Sequence, residues 1–415
     1  MAKGLFKSLL RKEGIWPYAV IFLILLNGVL FTVFFSLSRT HPATAYPELH
    51  DLEGVVLSFK ELAKYFTKLA EAKGAPYAFE VLRIAPIPPN TDMHLLGHIV
   101  GDILYRQQGA EGMRVCTQDF RNACSHSIVV GLFTEKGETA LPQIVEACRQ
   151  APGQSGAYTM CFHGLGHGIL AALDYDMPRA IEICKKTGRS ELSQCISGMV
   201  MEIIGGGFHN KELWEKQHKK YLSDPNPLSL CQQDFMPSEA RSMCFVYLTP
   251  HLFEAAGGSL ASPTPKDFKK AFTLCDALPL PDTVNRNSCF GGFGKEFVVL
   301  AKNRDIRNIE YMTQEELGRI RTWCFLAPHE KGITACVEHA MQSLYWGGEN
   351  DRDVAIRFCS LMSEDPYRSS CFENLIGAVS FYVKDPRYRK EFCGEIPADL
   401  HKTCREKLIS SPASR

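Results

Sequence analysis

The chain has 415 residues, 45% apolar and 22% charged, a balance that belongs to a folded protein rather than a disordered one. Its 46 basic and 46 acidic residues give a formal net charge of zero, which argues against nucleic acid as a partner, because displacing counterions from phosphates needs a basic face. Sixteen cysteines without one C-x-x-C pair point away from close-spaced metal ligands and toward disulfides made in an oxidising compartment.

Residues 1–18 form a basic segment with Lys3, Lys7, Arg11 and Lys12. An uncharged run follows over 19–37, long enough to span a bilayer as a helix. Only Arg39 lies close behind it, so the charge bias keeps the N-terminus cytoplasmic and places the rest outside the cytoplasm, in a periplasmic, luminal or extracellular space. The length of the apolar core favours a retained signal anchor, although Ala43-Thr44-Ala45 has the form of a cleavage site. Residues 38–89 read as a juxtamembrane helical segment. Within it, 51–72 predicts one amphipathic helix: Val55, Leu57, Leu62, Tyr65, Phe66 and Leu69 recur at helical spacing, with Lys60, Lys64 and Lys68 on another side. Pro86, Pro88 and Pro89 break the chain there. Asn90, Thr91 and Asp92 then offer an N-cap to a helix that carries His94 and His98.

Residues 90–408 are a degenerate repeat. The cysteines fall into eight successive pairs: Cys116 and Cys124, Cys148 and Cys161, Cys184 and Cys195, Cys231 and Cys244, Cys275 and Cys289, Cys324 and Cys336, Cys359 and Cys371, Cys393 and Cys404. Partners are 8 to 14 residues apart, and successive first cysteines 32 to 49, the size of helical-hairpin repeats. A short helical pattern leads into each first cysteine; the second opens a longer apolar run that often stops at glycines such as Gly257 and Gly258. The expected fold is all-α: an N-terminal transmembrane helix, then a superhelical array of disulfide-closed helical hairpins, then a tail over 409–415. Each short-loop disulfide would stabilise by about 2–4 kcal/mol.

On these cysteine pairs the chain resembles the disulfide-stapled helical-repeat solenoids of the Sel1-like and tetratricopeptide type. The C-x7-C spacing of Cys116 and Cys124 is that of the group; the other seven pairs are wider. The resemblance is architectural. It implies a superhelix and a protein-binding role, and it carries over no catalytic residue.

A histidine pattern runs through three consecutive units and is foreign to that group. His94-Leu95-Leu96-Gly97-His98 and His163-Gly164-Leu165-Gly166-His167 share the form H-x-x-G-H. His126 and His163 each follow a second cysteine by two residues. Residues at i and i+4 share a helix face, so the five imidazoles are expected to converge when the second helices lie side by side. Asp102, one turn beyond His98, is a further candidate ligand or orienting group. Neutral imidazoles predict a copper, zinc or iron site, and bis-histidine haem ligation is a second reading of the same residues. Gly97 and Gly166 leave space for a close helix, a ligand or a flat cofactor. The motif lacks the glutamate of H-E-x-x-H, which removes a zinc-protease mechanism, and C-x-x-C-H is absent, which removes covalent haem attachment by that motif.

Later units hold Ser197 and Met201, Val246 and Pro250, Gly291 and Lys295 in the histidine slots. Glu202, His251 and Glu296, one residue further on, read as solvated or inter-repeat polar positions, with a polar groove continuing from the histidines as the alternative. The function expected is that of a membrane-anchored extracytoplasmic metal protein, with redox or metal-assisted chemistry if it is an enzyme. The alternative is a scaffold subunit whose concave face binds a partner protein in a membrane or envelope complex. That alternative lets the histidines point into separate helix interfaces.

Overall fold

The computed structural model describes residues 46–206, 210–259, 262–347 and 351–408. The basic segment 1–18, the apolar run 19–37, Ala43-Thr44-Ala45, His209 and the tail 409–415 lie outside the described residues. Among the described residues all regular structure is helical, with no strand, and no helix is long and apolar enough to cross a membrane. Contacts divide the chain into two units. In the first, residues up to Val56 with Ile84–Ile87, the described structure is the short helix Glu48–Leu52 and the end of the helix Ala75–Ile84. The second holds Leu57–Arg83 and everything from Pro88 on.

The single helix expected over 51–72 is corrected to two. The chain leaves helical geometry after Leu52 and re-enters it at Phe59–Lys73. The cause is a capping box: the Ser58 side chain accepts from the Glu61 amide, and Glu61 reaches back to the Ser58 amide. Val55 therefore sits outside any helix and is exposed.

The repeat is built on second helices, which we number in chain order: α1 (Met93–Gln108), α2 (Asp119–Lys136), α3 (Gln154–Ala172), α4 (Arg189–Gly205), α5 (Arg241–Tyr247), α6 (Thr283–Ala301), α7 (Glu330–Gly347), α8 (Tyr367–Tyr382) and α9 (His401–Leu408). All eight expected cysteine pairs are disulfides, with Cα–Cα distances of 5.4 to 5.8 Å. Eight bonds of this kind place the folded chain in an oxidising, extracytoplasmic environment. Four first cysteines are the last residues of first helices, as in Met177–Cys184 and Pro265–Cys275. The second cysteines do not open their helices. Cys161 and Cys289 lie about two turns inside α3 and α6, because each loop supplies its own N-terminal turn before the staple.

In the fifth unit a buried arginine reinforces the staple. The Arg286 guanidinium donates to the carbonyls of Asp276 (3.0 Å) and Leu278 (2.9 Å) and pairs with the Asp276 carboxylate. Arg286→Met should cost about 2 kcal/mol in urea unfolding, because the Asp276 and Leu278 carbonyls lose their donor and this outweighs the similar apolar stem; an unchanged midpoint would show the loop held by Cys275–Cys289 alone.

Each second helix packs on the next from α1 to α9. Glycines set the spacing. A Cβ on Gly166 of α3 would lie 1.9 Å from the Cys195 carbonyl oxygen, and one on Gly198 of α4 would lie 1.8 Å from that of His163. The same relation recurs between α6 and α7, where a Cβ on Gly294 would meet the Cys336 carbonyl at 2.0 Å. Backbones this close leave no space for a methyl group. The row also curves back on itself. Helix α3 touches α8, the Asn90 amide donates to the Asn303 carbonyl (2.8 Å), and Arg304 reaches Asp92, the N-cap of α1, at 3.3 Å. Units distant in sequence thus face a shared interior.

Candidate metal centre

The five histidines of α1, α2 and α3 converge in that interior. His126 of α2 is central, 5.5 Å between ring centroids from His94, from His98 and from His163, and 6.1 Å from His167. The outer four form two facing pairs. His94 and His98 bring their Nε2 atoms to 3.2 Å, and His163 and His167 bring theirs to 3.3 Å. They do not point into separate helix interfaces.

The partners of the Nδ1 atoms fix the protonation of the rings. His94 Nδ1 lies 2.6 Å from the Phe120 carbonyl, which only accepts, so this nitrogen carries the hydrogen. His98 Nδ1 lies 3.2 Å from Ser127 Oγ, whose own proton goes to the His98 carbonyl at 3.0 Å. His163 Nδ1 meets Ser197 Oγ at 2.8 Å, and that hydroxyl donates to the Gln194 carbonyl at 2.7 Å. His167 Nδ1 donates to the Glu202 carboxylate at 3.0 Å, and Tyr175 holds the other carboxylate oxygen at 3.1 Å. All four hydrogens therefore sit on Nδ1 in the neutral rings, and all four Nε2 lone pairs point into the cluster.

With all four rings neutral, two lone pairs face one another within each pair across hydrogen-bond distance. Protonation of one ring would relieve this, and burial opposes it at His94 and at His163. Burial holds His94 down to about 4 against the Phe120 carbonyl and Asp92, and burial followed by the neighbouring histidines holds His126 and His163 well below 6.5. His126 is fully buried, and neither of its ring nitrogens has a hydrogen-bond partner. A transition ion would separate the facing lone pairs and could take one His126 nitrogen, since two imidazoles on adjacent tetrahedral positions at ~2.0–2.1 Å from one metal have nitrogens about 3.3 Å apart. Ligand atoms of His94, His98 and His126 lie within 4.8 Å of one another, and this triad could hold a metal ion. Asp102 stands outside that group of three, half-buried one turn beyond His98.

No family model, no curated protein and no solved structure matches the chain. The likeness to stapled solenoids is therefore one of architecture: helices and disulfides, with a site of its own.

A haem does not suit this geometry. Axial histidines approach iron from opposite faces of the macrocycle, whereas these nitrogens sit side by side. The cavity against the cluster, lined by His94, His126, His163, Met160, Met201 and Tyr247, is about 110 Å³, space for a few waters. The glycines serve helix packing instead: a Cβ on Gly97 would lie 2.7 Å from that of Ala123, and one on Gly164 would lie 2.6 Å from His126 Cα.

Two of the three positions read from sequence as solvated or inter-repeat belong to the site, Glu202 as an inter-repeat contact. Glu202 orients His167, and Glu296 lines the small cavity beside Lys295. Burial pushes the Glu296 carboxyl up, but Lys295 and Arg121 outweigh it and hold the group below its usual range. His251 is half-buried elsewhere on the helix after α5. Ser197 carried a signal that sequence offers: it fills the slot of His163 in the next unit and binds that histidine. Phe120 carried none. Its carbonyl reaches His94 because Phe120, Arg121 and Asn122 adopt left-handed φ values of 54°, 55° and 64° inside α2, just ahead of Cys124. Non-glycine residues rarely take this conformation, and such strain collects at functional sites.

Proposed function

We propose that this protein is a membrane-anchored, extracytoplasmic metalloprotein whose five histidines bind a transition metal for redox or metal-assisted chemistry. The reading is carried by the opposed Nε2 lone pairs, each backed by an Nδ1 hydrogen bond. Metal-ligating histidines have this arrangement, with the distal nitrogen donating to a carbonyl, hydroxyl or carboxylate. His94, His98 and His126 form the first set of donors. His163 and His167 form a second, facing pair on the other side of His126. Imidazole suits copper, zinc and iron, and the thioethers of Met160 and Met201 on the same cavity wall favour copper. Anchorage rests on the apolar run over 19–37 with its basic flank.

The test is metal analysis of the detergent-extracted full chain as isolated and after addition of copper, zinc or iron, beside His94→Ala/His163→Ala. About one to two ions per wild-type chain are expected, with loss in the double variant. A folded wild-type protein that retains none of the three metals would end this reading.

A further inference from the structure

The small cavity against the histidines adjoins a larger one. Arg121, Met160, Tyr247 and Lys295 line both. The larger cavity has a volume of about 580 Å³, within the range of small-molecule sites and far above what ordered water requires. Its inner end, toward the histidines, is basic, and its outer walls on α7 and α8 are aromatic, with Tyr345, Trp346, Phe381 and Tyr382.

Arg121 is the informative residue. The left-handed turn at the start of α2 that supplies the Phe120 carbonyl to His94 also places Arg121 on both cavity walls. One guanidinium nitrogen, Nη2, donates to Ser343 Oγ at 3.0 Å, while Nε is buried with no hydrogen-bond partner. Arg121 has no ion pair among the described residues. The nearby carboxylate of Glu296 pairs with Lys295, whose ammonium also lies 4.7 Å from the centre of the Tyr247 ring. This guanidinium shares the one nearby carboxylate, Glu296, with Lys295, so the basic end of the chamber holds two cations to one carboxylate, and its planar fork matches the oxygens of a further carboxylate or phosphate. The carboxylate that lines the larger cavity is Glu373, on α8; His339 is a neutral wall residue there, since burial first, then Lys295, holds it down to about 4.

The outer end is walled by aromatic rings, and Trp346 and Tyr382 are seated against the bare backbone of Gly156 of α3, where a Cβ would lie 2.6 Å from Trp346 Nε1 and 3.3 Å from the Tyr382 ring. Aromatic walls leading to a basic inner end favour an anion carried on an aromatic body over a highly hydrated one.

We propose that the larger cavity is a substrate chamber opening on the histidine cluster, and that it binds a small organic anion, a carboxylate or a phosphate monoester carried on an aromatic body. Arg121 takes the anionic group, and Tyr345, Trp346 and Tyr382 hold the ring. What happens to the ligand there rests on the metal reading above; its capture does not.

The test uses the detergent-solubilised full chain, with and without added copper, and three probes: 4-phenylbutyrate, phenyl phosphate and the neutral 4-phenylbutanamide. Calorimetry and tryptophan fluorescence report binding, with metal content measured on the same samples. At least one anion is expected to bind about tenfold or more tighter than the amide, and Arg121→Gln should remove that preference. The ratio of the two anions separates carboxylate from phosphate ligands. Trp346→Ala, which leaves the strained turn untouched, should weaken anions and amide alike and preserve their ratio. Binding of none of the probes, equal binding of amide and anions, or an anion preference that survives Arg121→Gln in folded protein would overturn the proposal. Arg121-dependent binding by protein that takes up no metal would keep the anion chamber and remove only the metal reading.

Discussion

His126→Leu should make the metal-free protein more stable and the metal-bearing protein less stable than wild type. His126 is fully buried among four other histidines, and neither ring nitrogen has a hydrogen-bond partner. Its neighbours and its burial keep it neutral, so the cost in the metal-free state is that of unsatisfied polar atoms, about 1–3 kcal/mol. Leucine has nearly the same volume and no polar atom, and such exchanges in a core are well tolerated. The metal-free variant should therefore gain about 1 kcal/mol in urea unfolding. Metal reverses the order. A ligand present at a thousandfold excess over its Kd stabilises the native state by about 4 kcal/mol, and the variant, lacking the His126 donor, forfeits most of that. The measurement is the unfolding midpoint of both proteins with chelator and with copper. A histidine kept only for packing would give the same shift with chelator and with copper, so a missing crossover would refute its role as a ligand.

The disulfide framework was legible because its period is local. Eight pairs at similar short separations admit one simple pairing, and the structure contains that pairing. Convergence of the histidines was legible for a related reason: equal offsets from equivalent cysteines, plus i and i+4 spacing, place side chains on equivalent faces of adjacent helices. The rest of the site depends on long-range curvature, which no offset encodes. Lys295, Glu296 and Arg304 come from or follow α6, yet they line the same cavity as His94 of α1, because the row of helices bends back and joins Asn90 and Asp92 to Asn303 and Arg304. Glu202 read as solvated or inter-repeat for the same reason, since periodicity identifies a polar face without saying whether that face looks outward or inward. Arg121 was hidden by a different mechanism. Its left-handed backbone has no glycine to announce it, and tertiary packing next to Cys116–Cys124 overrides local preference.

Gly166→Ala and Gly198→Ala carry the largest expected loss of stability, and the loss should reach the histidines. The two glycines face each other's helices: a methyl on Gly166 would lie 1.9 Å from the Cys195 carbonyl oxygen, and one on Gly198 would lie 1.8 Å from that of His163. Both obstacles are backbone atoms in helices stapled by Cys148–Cys161 and Cys184–Cys195, so no side chain can swing aside. Helices α3 and α4 must separate, at a cost of about 3 kcal/mol or more, the upper end for overpacking. Separation draws Ser197 and Glu202 away from His163 and His167, whose Nδ1 hydrogens they hold at 2.8 and 3.0 Å. His94 and His98 are oriented from α2, by Phe120 and Ser127, and keep their partners. Each variant should therefore unfold at lower urea and bind metal at the α1–α2 pair while losing the contribution of the α3 pair. Gly318→Ala is the control: it sits in the helix Gln314–Cys324 with open space around its Cβ position, and alanine there should be worth about 0.5–1 kcal/mol in the opposite direction. If Gly166→Ala unfolds at the wild-type midpoint, the close contact between α3 and α4 does not set the geometry of the second histidine pair. If it destabilises the chain yet leaves metal binding whole, His163 and His167 are not ligands, and the centre is the His94–His98–His126 triad alone.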